Sequence, residues 1–278
     1  MQVYRTVSEF RAFRSAVQGT LGFVPTMGYL HEGHLSLVKA ASLENDLVVA
    51  SIFVNPMQFN STADLAAYPR DEKQDLSLFR EMGVASVFVP SVEEMYPPDF
   101  QTYIQVEKMT QKLEGEYRPG HFRGVATVVA KLLNIVQPMR AYFGQKDAQQ
   151  VAVIKQMVQD LNLPVEIVVC PTVREADGLA MSSRNVRLSP EERKAAVVLH
   201  KALVAAKAAF YGGEREPERL REMMLQVLHQ EPLARVEYVS INDAVTLEVV
   251  ITPTASPLLV SMAVFIGEIR LIDNIILA

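Results

Sequence analysis

The chain has 278 residues, of which 49% are hydrophobic, a formal charge of -5 and a single cysteine. This length can bury a large core or form two domains, and the apolar content is not that of a disordered protein. No stripe of lysine or arginine stands out, which excludes the electrostatic footprint of a nucleic-acid-binding protein. The N-terminus has no apolar signal core, and no apolar run is long enough to span a membrane, so we expect a cytoplasmic protein. Cys170 lies in an apolar run and is expected to be a buried structural thiol.

Helix patterns and short apolar runs alternate over the first 170 residues. The spacing predicts helices at residues 7–18, 31–41, 70–82, 125–136 and 148–161. It predicts strands at 21–24, 47–54, 84–89, 102–106, 140–143 and 165–169, with loops at 92–98 and 116–124. This alternation is typical of α/β proteins with a doubly wound, Rossmann-like parallel sheet. Right-handed crossovers would bring the loops that follow the strands to one edge of that sheet.

The composition changes after Val173, where a polar, irregular segment covers residues 174–185. Two helix patterns follow at 190–211 and 217–230, separated by a Gly-Gly pair. Shorter strand signals follow at 236–241, 258–265 and 270–272. We therefore predict a Rossmann-like domain over residues 1–173 and a smaller C-terminal α+β domain over 174–278 that acts as its lid.

The stretch from Phe23 to His34 reads as a buried strand, a tight turn and the start of a helix. The first turn of a helix carries unpaired N–H groups and a partial positive charge, which favour a phosphate. His31 and His34 lie on one face of this helix, and Gly33 between them lets a flat ligand approach the backbone. The alternative is a pair of surface histidines beside a tight turn.

Further polar clusters follow other predicted strands, at residues 55–58 and 144–150, and a third lies in the irregular segment at 181–184. In open α/β sheets, ligands bind outside the carboxyl ends of the strands, so these clusters are expected to form one site. The first turn lacks Gly-x-Gly-x-x-Gly, and no Gly-Lys-Ser/Thr loop occurs. Hydride transfer and P-loop hydrolysis are therefore disfavoured.

The residues from Met27 to His34 resemble the His-x-Gly-His signature of a nucleotidyltransferase superfamily, and Met181 to Arg184 resemble its second, mobile phosphate-binding motif. Together with residues 25–28, 53–59, 142–150 and 174–185, and with 270–274 near the C-terminus, they are similar to the pantothenate synthetase family. The resemblance implies an ATP-dependent ligase that condenses pantoate with β-alanine through a pantoyl-adenylate and releases AMP and pyrophosphate.

By this resemblance His31, His34 and Lys146 are the catalytic residues, with His34 as proton donor because an imidazole titrates close to working pH. Lys146 would neutralise the β- and γ-phosphates, and the alternative is a solvated lysine, either alone or paired with Asp147. Ser182 to Arg184 would bind the phosphates, although such a loop can also be turn or capping chemistry. The implied ATP site comprises Met27, Gly28, Tyr29, Leu30, His31, Glu32, Gly33, His34, Gly144, Gln145, Lys146, Asp147, Val173, Met181, Ser182, Ser183 and Arg184.

The resemblance also implies that Gln58 and Gln150 bind pantoate, with Pro25, Thr26 and Asn55 lining the same pocket and Gln58 also near β-alanine. Neutral amides suit this role because, unlike a positively charged side chain, they do not reduce the nucleophilicity of an attacking carboxylate. From the sequence alone, Gln58 can equally be a turn residue and Gln150 a solvent-facing helix residue. Second motifs of the superfamily usually begin with lysine, whereas Met181 stands here, so the chain has one phosphate-directed cation fewer.

Other polar residues carry weaker signals. Residues 71–75 resemble an exposed helix face. Arg118, His121 and Arg123 resemble a solvated charged loop, and the alternative is that they help gate the site. His200 and His229 are expected to be structural. No cluster has zinc-ligand spacing, so Mg²⁺ is expected to arrive with ATP. The resemblance to the family implies a homodimer. Two rival functions remain: a nucleotidyltransferase acting on a phosphate acceptor, and a nucleotide-binding module without catalysis.

Overall fold

The computed structural model describes all 278 residues and contains two β-sheets. The larger is a six-stranded, all-parallel sheet with the strand order β1-β4-β3-β2-β5-β6. The smaller is a three-stranded antiparallel sheet with the order β7-β8-β9. This architecture confirms the predicted fold class. The domain boundary at residue 173 stays a prediction.

The strands are β1 Gln2–Tyr4, β2 Leu21–Thr26, β3 Leu47–Ile52, β4 Ser86–Phe88, β5 Arg140–Gly144, β6 Glu166–Cys170, β7 Ala234–Asp243, β8 Leu258–Ile266 and β9 Ile269–Leu277. The helices are α1 Val7–Ala16, α2 Glu32–Glu44, α3 Thr62–Ala67, α4 Glu72–Glu81, α5 Val92–Met95, α6 Glu114–Tyr117, α7 His121–Val136, α8 Ala148–Asp160, α9 Pro190–Ala195, α10 Val198–Tyr211 and α11 Pro217–Leu228.

The strand order of the larger sheet reverses between β2 and β5. From β2 the chain proceeds through β3 and β4 to one side, whereas β5 and β6 lie on the other side. One apolar cluster packs α1, α7 and α8 on the sheet, and a separate cluster packs α2 and α4. Strands covered on both faces read as unbroken apolar runs, which explains why β2 and β3 were predictable. The switch between β2 and β5 is where such a sheet binds ligands.

One predicted strand is absent from the structure, and one strand of the larger sheet was not predicted. Residues 102–106 form no strand, because the N–H of Ile104 donates to the Thr127 hydroxyl of α7 at 3.0 Å and its side chain packs on the core. The apolar alternation there reflects packing against a helix. Conversely the edge strand β1, which pairs with β4, was not predicted, because its three residues are too few to produce a periodic signal.

Several predicted boundaries also need correction. The loop predicted at 116–124 ends early, because α7 begins at His121, directly after Gly120 in the left-handed conformation. The loop predicted at 92–98 contains the short helix α5, which the Ser91 side chain caps. The single helix predicted at 190–211 is divided into α9 and α10 by a turn at residues 196–197.

The three-stranded sheet packs against α10 and α11 and has a core of its own. Its edge strand β9 contacts two turns outside the small sheet. One follows β5, and the other begins at residue 183. Cys170 is buried and forms no disulfide, as predicted. None of the helices combines the length and the apolar character needed to cross a membrane.

Candidate active site

A cavity of about 240 Å³ opens at the switch point between β2 and β5. Most of the predicted site residues line it, although they come from four separate parts of the chain. These residues are Pro25, Thr26, Met27, His31, Gly33, His34, Asn55, Gln58, Gly144, Lys146, Asp147, Gln150, Val173, Met181, Ser182, Ser183 and Arg184. Five residues predicted in the nucleotide site do not line it: Gly28, Tyr29, Leu30, Glu32 and Gln145.

His31 and His34 form a capping box at the start of α2. The backbone N–H of Gly33 donates to Nδ1 of His31 at 3.1 Å, and the N–H of His31 donates to Nδ1 of His34 at 3.3 Å. Since both Nδ1 atoms accept, each neutral ring carries its proton on Nε2. The ring centroids are only 4.1 Å apart. The pair therefore presents two neighbouring Nε2–H donors beside the positive end of a helix.

The pKa values of both histidines are depressed, contrary to the expected value near working pH. Burial, reinforced by the charge of Lys146, lowers the pKa of His31 to about 4. Burial and the neighbouring His31 lower the pKa of His34 to about 3. Both rings are therefore neutral at physiological pH. They can stabilise phosphate oxygens by donating hydrogen bonds without carrying a positive charge of their own.

Asp75, predicted to lie on an exposed helix face, is only 2% exposed. Its carboxylate accepts the backbone N–H of Tyr29 at 2.8 Å and of Leu30 at 2.7 Å. Tyr29 has a φ of 51°, a left-handed conformation that few non-glycine residues adopt. Burial raises the pKa of Asp75 although the two hydrogen bonds favour its ionised form. Asp75 thus fixes the turn that delivers His31, and no periodic signal distinguishes it from its exposed neighbours.

Asn55 is buried and organises the turn that holds Gln58. Its amide donates to Oε1 of Gln58 and to the Gly124 carbonyl, both at 3.1 Å, and its oxygen accepts from the Tyr96 hydroxyl at 2.9 Å. A Cβ on Gly124 would lie 2.3 Å from the Met57 carbonyl oxygen, so only glycine allows α7 this close to the turn. The Gln58 side-chain amide is held at both ends, because its Nε2 also donates to Sδ of Met27 at 3.0 Å.

Arg118 and His121 also line the cavity, so the prediction of a solvated loop is wrong for them. His121 is 7% exposed, and its Nδ1–H donates to the Gln58 carbonyl at 2.7 Å. Arg118 donates to the same carbonyl at 3.2 Å and lies 3.3 Å from Nε2 of His121. Burial, reinforced by Arg118, lowers the pKa of His121 to about 4. Arg123 lies outside the cavity, over the ring of Tyr103.

Lys146 forms no ion pair with Asp147 or with any other carboxylate, so its ammonium faces the cavity uncompensated. The side chain of Gln150 likewise makes no hydrogen bond within the protein, which leaves its amide available to a ligand. Both side chains follow β5, on the opposite side of the switch point from the two histidines. The alternative of a Lys146–Asp147 surface pair is not observed.

The second loop contacts the first directly. The Ser183 hydroxyl donates to the Tyr29 carbonyl at 3.2 Å, while the Ser182 hydroxyl caps the 3₁₀ turn by accepting the Arg184 N–H at 3.3 Å. Arg184 pairs with Asp64 of α3 at 3.2 Å. Capping chemistry therefore accounts for Ser182, whereas Ser183 joins the two loops.

The comparisons with known proteins agree along the whole chain. The family model described as pantoate-beta-alanine ligase matches residues 2–276. This chain belongs to the pantoate-beta-alanine ligase family. The predicted family and enzyme class are thus confirmed.

Individual relatives cover nearly the full length of both chains. The chain is 56% identical to the pantothenate synthetase of Herpetosiphon aurantiacus, with 100% of each protein covered. It is 59% identical to that of a Roseiflexus species, with 100% of this chain and 99% of the relative covered. The crystal structure of pantothenate synthetase from Thermus thermophilus superposes with a TM-score of 0.93 at 49% identity, covering 99% of each chain.

A further solved structure contains ligands. Pantoate-beta-alanine ligase from Francisella tularensis, complexed with beta-gamma ATP and beta-alanine, superposes with a TM-score of 0.82 at 36% identity. The match covers 99% of this chain and 97% of that one. These ligands belong to that protein, and they agree in class with the nucleotide and amino-acid substrates predicted from the sequence.

Proposed function

We propose that this ligase condenses pantoate with β-alanine at the expense of ATP, through a pantoyl-adenylate, and releases AMP and pyrophosphate. One observation carries the proposal: a single cavity contains the neutral amides of Gln58 and Gln150 together with His31, His34 and Lys146. The amides suit a carboxylate that must remain nucleophilic. The histidines and the lysine suit the charge of a triphosphate.

In the first step a pantoate carboxylate oxygen attacks the α-phosphorus of ATP, and the bond to the bridging oxygen of the β-phosphate breaks. Negative charge then grows on the α-phosphate and on the departing pyrophosphate. The Nε2–H groups of His31 and His34 would donate to these oxygens, and Lys146 would neutralise the β- and γ-phosphates. Arg184 would contribute a guanidinium after exchanging Asp64 for phosphate. Gly144, Asp147, Val173 and Met181 would contact the nucleoside.

In the second step the amine of β-alanine attacks the pantoyl carbonyl carbon, an amide forms, the amine loses a proton and AMP leaves. Gln58 would contact both pantoate and β-alanine, and Pro25 and Thr26, which line the same cavity, would contact pantoate. Arg118 forms no salt bridge in the protein, so its guanidinium is available to the carboxylate of β-alanine.

Mg²⁺ enters this proposal as part of the substrate. The protein contains no group of three His, Cys, Asp or Glu side chains arranged to hold a metal ion. Mg²⁺ prefers phosphate oxygens and water as ligands, so the triphosphate itself would carry it.

We also propose that residues 1–173 bind nucleotide and pantoate, that residues 174–278 form the lid, and that the enzyme acts in the cytoplasm as a homodimer. The separate cores of the two sheets support this division. The dimer is supported by the family resemblance. Light scattering on the purified protein tests the dimer directly.

The reaction itself is tested by incubating the protein with ATP, Mg²⁺, pantoate and β-alanine. AMP should accumulate only when both organic substrates are present. Labelled pyrophosphate should exchange into ATP when pantoate alone is added, because the adenylate forms before β-alanine reacts. Pyrophosphate release that needs a phosphorylated acceptor would favour the rival nucleotidyltransferase. ATP binding without any turnover would favour the binding module.

The pH dependence of kcat/KM for ATP should show that His31 and His34 act in their neutral form. In the pantoate-dependent pyrophosphate exchange, we expect kcat/KM to stay flat between about pH 7 and 8.5, since the phosphates are then fully ionised. Both imidazole pKa values lie at or below about 4, so neither ring loses a proton in this range. If a histidinium were required instead, kcat/KM would fall about tenfold for each pH unit above its pKa.

A further inference from the structure

Two neighbouring residues of β9, Asp273 and Asn274, lie at the contact between the small sheet and the cavity loops. They are 2% and 4% exposed, respectively, although polar side chains are seldom so deeply buried. The sequence resemblance at residues 270–274 gives them no role in the proposed reaction. Their hydrogen bonds lead to two different loops of the candidate active site.

Asn274 holds the turn that carries Lys146. Its Nδ2 donates to the carbonyl of Gln145 at 3.1 Å and to the carbonyl of Lys146 at 2.8 Å. Its Oδ1 accepts from the Gln145 side chain at 3.1 Å. The side-chain amide of Asn274 thus makes three hydrogen bonds to two consecutive residues. These bonds also explain why Gln145, predicted in the nucleotide site, faces away from the cavity.

Asp273 holds the segment that carries Met181 to Arg184. Its two oxygens accept from the two terminal nitrogens of Arg174 at 2.6 and 2.9 Å, a bidentate geometry. Arg174 also donates to the Gly178 carbonyl at 3.1 Å, which closes the turn between Arg174 and Ala180. The backbone N–H of Asn274 donates to Asp273 at 2.8 Å and links the two anchors.

We propose that Asp273 and Asn274 are positioning residues that set the relative placement of the Lys146 turn and the Met181–Arg184 segment, so that both reach one triphosphate. The inference rests on the proposed function, because it assumes that these two loops bind the nucleotide. A single strand of the small sheet then fixes both phosphate loops through adjacent side chains. A small displacement of either loop would weaken the binding of ATP more than the binding of β-alanine.

The test is Asn274→Asp, which keeps the size of the side chain but turns the Nδ2 donor into an oxygen facing two carbonyls. We expect the Kd for α,β-methylene-ATP, measured by calorimetry, to rise about tenfold, because the two carbonyls move away from the new oxygen and the displaced Lys146 turn must return to its place when the analogue binds. The KM for ATP should rise in parallel, while the KM for β-alanine stays at the parent value. Asp273→Asn should weaken analogue binding in the same direction, because it removes the charge that holds Arg174.

Asn242→Asp is the matched control. Asn242 is equally buried on β7 of the same sheet, and its amide donates to the Leu247 carbonyl at 2.9 Å, away from the cavity. This variant should lower the Tm without changing the Kd for the analogue. The proposal fails if Asn274→Asp binds the analogue as the parent does, or if Asn242→Asp weakens binding equally.

Gln145→Ala serves if Asn274→Asp does not fold. It removes the hydrogen bond that orients the Asn274 amide, and Gln145 is only half-buried. A weaker shift in the same direction supports the proposal, and parent-like binding contradicts it. Binding of the analogue needs neither pantoate nor β-alanine. A parent protein that binds ATP but forms no AMP would therefore refute the proposed function without deciding the role of Asn274.

Discussion

Replacing His34 with alanine should lower kcat for AMP formation by about 10²- to 10⁴-fold, the range for losing a positioned group that hydrogen-bonds to the reacting atoms. The ring is half-buried and neutral, and it presents its Nε2–H beside His31 at the start of α2. The loss should appear in pantoate-dependent pyrophosphate exchange as strongly as in the full reaction. That outcome would assign His34 to adenylation.

His34→Gln separates catalysis from helix capping. Glutamine at the third position of a helix can accept the N-cap N–H, as Nδ1 of His34 does, so the variant should retain the Tm of the parent. It should still lose most activity, because the amide cannot place a donor where Nε2–H lies. His229→Ala, in an exposed histidine outside the cavity, is the control and should be fully active. Turnover equal to that of the parent in His34→Ala would remove this residue from the mechanism.

Replacing Lys146 with alanine should lower kcat by about 10²- to 10³-fold, the usual cost of removing one donor that stabilises transition-state charge. Because the histidines are neutral, Lys146 would carry a large share of the positive charge next to a bound triphosphate. It lacks a carboxylate partner, so its removal leaves no buried anion uncompensated and should change the Tm little. Steady-state kinetics and a melting curve together measure both effects.

Lys155→Ala is the matched control for that experiment, since Lys155 is exposed on α8, the helix that follows the Lys146 turn. It changes the net charge by the same amount and should leave kcat and the KM for ATP unchanged. Equal losses in the two variants would mean that long-range charge accounts for the effect. A full rate in Lys146→Ala would contradict its role at the phosphates.

The parallel sheet and most of its helices could be predicted because their signals are local. Strands covered on both faces, such as β2 and β3, are continuous apolar runs, and amphipathic helices repeat at a helical period. The strand–turn–helix stretch around His31 and His34 is equally local, so the sequence was enough to predict it as a candidate anion site. The motifs after β3 and β5 lie at the carboxyl ends of their strands. In an open parallel sheet these ends meet at one edge, so the motifs could be predicted to lie close together.

Other features depend on contacts between distant residues. Asp75 looks like its exposed neighbours and becomes a buried acceptor only because α4 packs beside the Tyr29 turn. His121 reads as part of a polar loop, and the depressed pKa values of the cavity histidines follow from burial that no sequence pattern encodes. The false strand at residues 102–106 has the same origin, since alternation does not reveal which partner a segment will find.

The sequence by itself determined the fold class, the family and the identity of the residues that meet at the carboxyl edge of the sheet, because each depends on short-range patterns. The tertiary structure alone decided which of them face the cavity, which protonation state the histidines adopt and how β9 contacts the Lys146 turn and the segment after Arg174. The protonation state depends on desolvation, and the other two properties depend on packing and hydrogen bonds between residues far apart in the chain. Both exist only after the chain has packed.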